Sequence, residues 1–261
     1  MQLDPFLDPI AVHRSFHLLD ARDAEEFDAA HAPAAVRVPF DHWVSAAKDE
    51  KLSFDNVSFW EETIAQLGIY EGAIVGVYDD GRMTEAARVW FILQYFGVNA
   101  FIINGGWPAL REHVARLPST RATDAASPFV GRPRSGPVGL VSRDGLKAVL
   151  GQGSRILDAR TAEEFSGEDR RSNVRGGHLP GATLVPHSSL LNDGSVKSSE
   201  VLRKILSSAG FRSEDHVVTH CDGGGRAALA AAASVRAGYT DVVVYYLSFA
   251  DWARDESCPV I

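Results

Sequence analysis

Cys221 is followed by Asp222-Gly223-Gly224-Gly225-Arg226 and then by an alanine-rich stretch, 227–233, and it is preceded by the apolar run Val217-Val218-Thr219-His220. That order predicts a buried strand, a tight glycine turn and the first turn of a helix, with the thiol at the turn. Consecutive glycines let main-chain amides face inward, and a helix start adds unpaired N–H groups and the positive end of its dipole. A thiol held there is a nucleophile inside an anion cradle. Cys221 is therefore the candidate catalytic residue, and Asp222, Gly223, Gly224, Gly225 and Arg226 are the candidate substrate-binding residues around it. Cys258, in Ser257-Cys258-Pro259, has no such setting and reads as a packing thiol. Two cysteines in such different contexts make no disulfide framework. With nine histidines they show no metal-ligand spacing, so neither a metal nor a cofactor is expected.

A chain of 261 residues can bury a large core in one or two domains. Its hydrophobic share of 45% and charged share of 23% are those of a globular protein. A formal charge of −8 argues against a nucleic-acid surface and against attraction to anionic membranes. No run reaches transmembrane length. Met1-Gln2-Leu3-Asp4-Pro5 does not open a basic segment with an apolar core behind it, so a cytoplasmic protein is expected.

The elements that must position Cys221 are written twice. Leu18-Leu19-Asp20-Ala21-Arg22 returns as Ile156-Leu157-Asp158-Ala159-Arg160, and each is followed by Glu-Glu-Phe, at 25–27 and at 163–165. His31-Ala32-Pro33-Ala34-Ala35 answers to His178-Leu179-Pro180-Gly181-Ala182, and Pro39 to Pro186. Matches in the same order across two halves mean duplication of a domain. Each half predicts a strand ending in Asp-Ala-Arg, a short helix with Glu-Glu-Phe, a His-x-Pro turn and a second strand. A helix follows (58–67; 199–209), then a third strand (73–78; 216–220), a long helix (85–96; 226–237) and a last strand (100–103; 241–246). Gly97 and Gly238 close the long helices as left-handed caps. Strands alternating with helices imply an α/β fold in which each domain is a mainly parallel sheet covered by helices on both faces. The stretch 118–138 is rich in Pro, Gly, Ser, Ala and Arg without apolar periodicity and reads as a linker between domains 1–117 and 139–261.

With these motifs in view, the chain resembles a tandem-domain rhodanese-type sulfurtransferase over nearly its whole length. The Asp-Ala-Arg, Glu-Glu-Phe and Gly-His-Leu-Pro-Gly-Ala series of the second half resembles that family's signature, and the cysteine loop resembles its active-site loop. The resemblance implies two tandem rhodanese-like domains, of which the second carries the nucleophile and the first is a non-catalytic partner. Counted from Gly68 and Gly210 alike, Asp79 stands in the first half where Cys221 stands in the second. A carboxylate is a poor sulfur nucleophile and repels anions. The implied reaction is a double displacement: Cys221 takes a sulfur atom from a small donor as a persulfide and passes it to cyanide or a thiol, or to a protein acceptor. Main-chain amides would stabilise the charge on the outer sulfur.

The loop departs from the better-known members. Thiosulfate enzymes of the family resemble Cys-Arg-Lys-Gly-Val-Thr and mercaptopyruvate enzymes Cys-Gly-Ser-Gly-Val-Thr, whereas this chain has Cys-Asp-Gly-Gly-Gly-Arg. Asp222 beside the nucleophile disfavours an anionic donor unless its side chain turns away or pairs with an arginine. Many tandem members carry a substrate-binding arginine four residues past the Asp-Ala-Arg motif, where this chain has Glu164. Arg170, Arg171 and Arg175, in a segment the first half lacks, are candidates to replace it. Thiosulfate is the favoured donor, as the commoner activity of this architecture, with 3-mercaptopyruvate next. Cysteine phosphatases of related fold need five residues between cysteine and arginine, and only four separate Cys221 from Arg226. A second reading keeps the thiol but makes the protein a persulfide carrier or binding module with little small-molecule turnover.

Other residues have structural readings. Asp20/Arg22 and Asp158/Arg160 occur in both halves, including the one without a thiol, and are expected to tie strand ends to loops, with Arg160 also bordering the pocket. The Glu-Glu-Phe pairs are expected as solvated helix faces carrying one buried Phe each. His220 is expected to pack in its strand, His31 and His178 to hold turns, and Trp252 to anchor packing or to form an aromatic wall of the substrate cleft.

Overall fold

The computed structural model describes residues 4–13, 15–117 and 127–261. Among these, residues 4–136 with 193–195 form one compact unit, and residues 137–192 with 196–261 form a second. Of the stretch read as a linker, 118–126 lie outside the described residues. Residues 127–136 run along the first unit, because Phe129 is buried there. The Gly131 amide donates to Glu61 at 2.8 Å and Arg132 pairs with Glu71 at 2.8 Å.

In the first unit β1 (Phe6–Leu7), β2 (Phe16–Asp20), β3 (Val36–Arg37), β4 (Ile74–Tyr78) and β5 (Asn99–Ile103) form a parallel sheet in the order β1-β5-β4-β2-β3. The second unit contributes β6 (Gly139–Leu140), β7 (Arg155–Asp158) and β8 (Ala182–Leu184); next in the chain comes a two-stranded ribbon of β9 (Leu191–Asn192) and β10 (Ser195–Val196), of which residues 193–195 group with the first unit. With β11 (Val217–His220) and β12 (Val242–Val244) the second unit's parallel sheet runs β6-β12-β11-β7-β8. The two orders are the same, so the sequence duplication is a duplication of topology. The edge strands β1 and β6 escape sequence reading because two residues carry no periodicity.

Strands β4 and β11 lie at the centre, hydrogen-bonded on both sides, which accounts for their apolar runs: Val217 to His220 are all buried. Helices Val57–Gln66, Thr84–Tyr95, Ser199–Ser208 and Gly225–Arg236 fall within a residue of their expected ends. Gly97 and Gly238 adopt φ of 90° and 101°, the left-handed conformation that terminates a helix cheaply only when the residue is glycine. Helix Gly225–Arg236 is buried from Ala227 through Val235, and its alanines let it lie close to the sheet.

The last strand was expected over 241–246 and ends at Val244. Beyond it Ser248 takes φ of 61°, its hydroxyl donates to the Tyr245 carbonyl at 2.9 Å, and the chain turns into helix Ser248–Trp252. Among the described residues no helix is long and apolar enough to cross a membrane.

Candidate functional site

Cys221 is the first residue past the central strand β11, and the loop around it is fixed at several points. The Thr219 hydroxyl donates to the Ala227 carbonyl at 3.0 Å, pinning the strand end to the first turn of the following helix. The Cys221 amide donates to Ser248 Oγ at 3.2 Å, while the carbonyls of Cys221 and Asp222 accept from the Phe249 and Ala250 amides, both at 3.0 Å. Gly224 has φ of 106°, a conformation open in practice only to glycine, and this turns its N–H onto Cys221 Sγ at 3.0 Å. The sulfur thus sits at the start of a twelve-residue helix, against a main-chain donor and the positive end of the helix dipole. Ser248 Oγ stands 3.8 Å from the sulfur. This serine was not singled out by sequence reading; its left-handed backbone in a non-glycine residue is strain held next to the thiol.

The first unit shows what such a loop does with an anionic group. Asp79 is the first residue past β4, as Cys221 is past β11. One carboxylate oxygen accepts from the amides of Gly81 and Met83 at 2.9 and 3.1 Å, the other from those of Glu85 and Ala86, both at 3.1 Å. Four main-chain donors converge on the side chain at the cysteine position. Burial pushes the Asp79 carboxyl above its ordinary range, against the lowering effect of the Ala86, Gly81 and Met83 amides.

In the second unit charged groups gather beside the thiol. Arg226 donates through both terminal nitrogens to Glu164, at 2.5 and 2.8 Å, and Arg171 Nε lies 3.2 Å from the same carboxylate. Glu164 therefore departs from the solvated helix face expected of it: it is 1% exposed, turned inward to meet Arg226, and its neighbour Phe165 is only half-buried. Thr161 closes a capping box with it, its hydroxyl accepting from the Glu164 amide and its own amide donating to Glu164 Oε2. Burial works against the Glu164 charge, but the Arg226 hydrogen bonds, the Thr161 amide and the two arginine charges outweigh it and hold the carboxyl at about 2. Burial likewise opposes the Arg226 charge, and the Glu164 hydrogen bonds with the Cys221, Glu164 and Asp222 charges reverse the balance and raise its pKa. Among the described residues Asp222 forms no direct ion pair with an arginine, though its charge acts on Arg226. Its Oδ1 accepts from Asn173 Nδ2 at 2.7 Å.

The structure brings Cys221, Gly224, Arg226, Glu164 and Ser248 together and leaves other sequence candidates elsewhere. Arg160 is 1% exposed, its guanidinium taken by Asp158 (2.6 Å) and the Gly177 carbonyl (2.8 Å), as Arg22 is by Asp20 and Ala30. Trp252 is fully buried, its indole N–H donating to the Pro259 carbonyl at 2.8 Å. Both lie in the core, because the Asp158 pair and the C-terminal segment enclose them. Arg175 is spent on the carbonyls of Trp252, Ala253, Asp255 and Cys258, and Arg170 is exposed. Of the three arginines named as replacements, Arg171 reaches the charged cluster. His220 is wholly buried with Nε2 3.4 Å from Asp158, and burial first, then the Arg160 charge, favours its neutral form. His31 and His178 stack on Phe27 and Phe165, each ring with Nδ1 at that phenylalanine's carbonyl.

Comparison with known proteins bears on what this loop is. The family described as Rhodanese-like domain matches twice, over residues 7–113 and 142–255. A putative thiosulfate sulfurtransferase of Haloferax volcanii is 28% identical, over 91% of this chain and 85% of its own. A 3-mercaptopyruvate sulfurtransferase of Escherichia coli K12 is also 28% identical, over 92% and 86%. Among solved structures, a 3-mercaptopyruvate sulfotransferase from Escherichia coli superposes with a TM-score of 0.72 at 24% identity, covering 95% of this chain and 99% of the other. A structure of EanB with a cysteine persulfide and ergothioneine gives 0.74 at 19% identity; it covers 94% of this chain, which spans 64% of EanB's length. These likenesses establish a shared fold and a relation to sulfurtransferases of several kinds.

Proposed function

Given that the chain belongs to the rhodanese-like domain family and carries that domain twice, we propose that it is a sulfurtransferase whose second domain does the chemistry through Cys221. Supporting this most is the Gly224 N–H, 3.0 Å from Sγ at the opening of a helix, with Ser248 holding the Cys221 amide from behind. The thiolate attacks the outer sulfur of a donor. With thiosulfate the S–S bond breaks and sulfite leaves, the persulfide keeping its negative charge. With 3-mercaptopyruvate the C–S bond breaks, pyruvate leaves as its enolate and takes up the proton that the transferred sulfur carried. Cyanide or a thiol then attacks the outer sulfur, the Cys221 thiolate departs, and the product is thiocyanate or a new persulfide. Negative charge on the outer sulfur meets the Gly224 donor and the helix dipole, preorganised before the donor arrives.

Arg226 is bound to Glu164 and the loop places only four residues before it, so it is not free to close around a phosphate. The first domain is read as non-catalytic, because Asp79 both replaces the thiol and fills the loop's donors with its own carboxylate. Steady-state thiocyanate formation with thiosulfate and with 3-mercaptopyruvate tests the proposal: one donor turns over with ping-pong kinetics, and Cys221→Ser abolishes it. Sulfur uptake by Cys221 without turnover would instead assign the persulfide-carrier role. No uptake from either donor would refute both.

A further inference from the structure

Beside the cysteine loop, Arg226 and Arg171 carry positive charge; the negative groups are Glu164, which touches both arginines, Asp169, 3.5 Å from Arg171, and Asp222, which accepts from the neutral amide of Asn173. The two positive and three negative formal charges leave one net negative charge before the thiolate is counted. Removal of the Glu164 charge alone would leave two arginines against two carboxylates, Arg226 without its partner and Arg171 with only the half-exposed Asp169. Arg226 cannot turn to a ligand without breaking a two-point contact to a carboxylate that is 1% exposed, and such a pair is costly to open from one side.

We propose that Glu164 sets the charge class of the sulfur donor: by holding Arg226 and Arg171 it cancels the positive field beside Cys221, so that the site favours donors carrying a single negative charge over dianions. This rests on the sulfurtransferase reading and refines it. Glu164 acts through the two arginines and is a positioning residue. On this account 3-mercaptopyruvate, a monoanion with its thiol protonated, is a better donor than dianionic thiosulfate, and the ranking comes from the field rather than from the loop's shape.

The test is the ratio of kcat/KM for thiosulfate to that for 3-mercaptopyruvate. Glu164→Gln keeps a hydrogen bond to Arg226 and removes the charge. At separations of several ångströms one unit charge alters binding of each donor charge on the order of tenfold, so the ratio rises by roughly that factor, and the rise fades in molar salt. Arg171→Gln, at a side chain 52% exposed, moves the ratio in the opposite direction and does not depend on the buried pair surviving. Glu164→Asp, which restores the charge, returns the ratio toward the native value. A purely structural Glu164 would lower both donors by one factor and leave the ratio fixed. That outcome, or a ratio insensitive to both variants, overturns the inference while the persulfide reading stands. If no donor loads Cys221 in native protein, the inference falls with the reading beneath it.

Discussion

Asp79→Ala isolates the loop's capacity for an anion from any chemistry. The native carboxylate receives four main-chain donors at 2.9 to 3.1 Å and is fully buried, so the alanine leaves four amides, two buried and two half-buried, without their acceptor. At about 1 kcal/mol for each orphaned donor, less what is recovered because the carboxylate no longer has to be buried, the first domain should lose about 3 kcal/mol. For a domain of this size that is a fall in melting temperature of about 10 °C. Asp79→Asn should cost about half as much, since its amide oxygen can serve Gly81 and Met83 while its NH2 faces the donors of Glu85 and Ala86. Calorimetry reads the loss, and amide exchange at Glu85 and Ala86 should quicken in step with it. Sulfur uptake by Cys221 should persist. A fall in melting temperature below about 2 °C in Asp79→Ala would mean that the loop's amides are satisfied without the carboxylate, and the argument that they form an anion cradle would fail.

Two further outcomes follow from the second domain. Glu164 is held at about 2 against an ordinary value near 4.3, so its folded pKa is depressed. Its contribution is present in full above about pH 4.5 and is lost as the pH falls toward 2. Urea midpoints across that window should show native protein losing on the order of 3 kcal/mol more than Glu164→Gln; parallel curves would contradict the assignment. Arg175 bonds four carbonyls of the C-terminal segment, which one ammonium group cannot span. Arg175→Lys should therefore cost about 3 kcal/mol and open the buried Cys258 to thiol reagents, and a silent Cys258 with an unchanged midpoint would refute that role.

The fold was legible because its signals are local and repeated. Alternation of apolar strands with capped helices, Gly97 and Gly238 as terminators, and the two Asp-Ala-Arg strand ends each rest on backbone preference or on contacts two residues apart. The loop that holds the candidate nucleophile was legible for the same reason, since a strand, a glycine turn and a small-residue helix specify one another along the chain. The charged surroundings were less so. Glu164 lies 62 residues from Arg226, and Asn173 lies 49 from Asp222. Only the topology, which lays β7 beside β11, brings them together. The one hint was compensatory: an acid where an arginine was expected, and an extra arginine at the end of the cysteine loop. Ser248 left no hint, because its role depends on a left-handed backbone angle in a residue that rarely adopts one. Arg160 and Trp252 take the structural places expected of them, at a strand end and in the core, because a motif repeated in both domains tracks folding and a tryptophan past the last strand serves packing.

Intact-protein and peptide mass spectrometry after incubation with thiosulfate or 3-mercaptopyruvate tests the central claim most directly. The account predicts a gain of one sulfur atom, about 32 Da, on the peptide bearing Cys221 and none on that bearing Cys258, removed by cyanide with release of thiocyanate. Cys221 unmodified by both donors, or the sulfur found on Cys258, would contradict it.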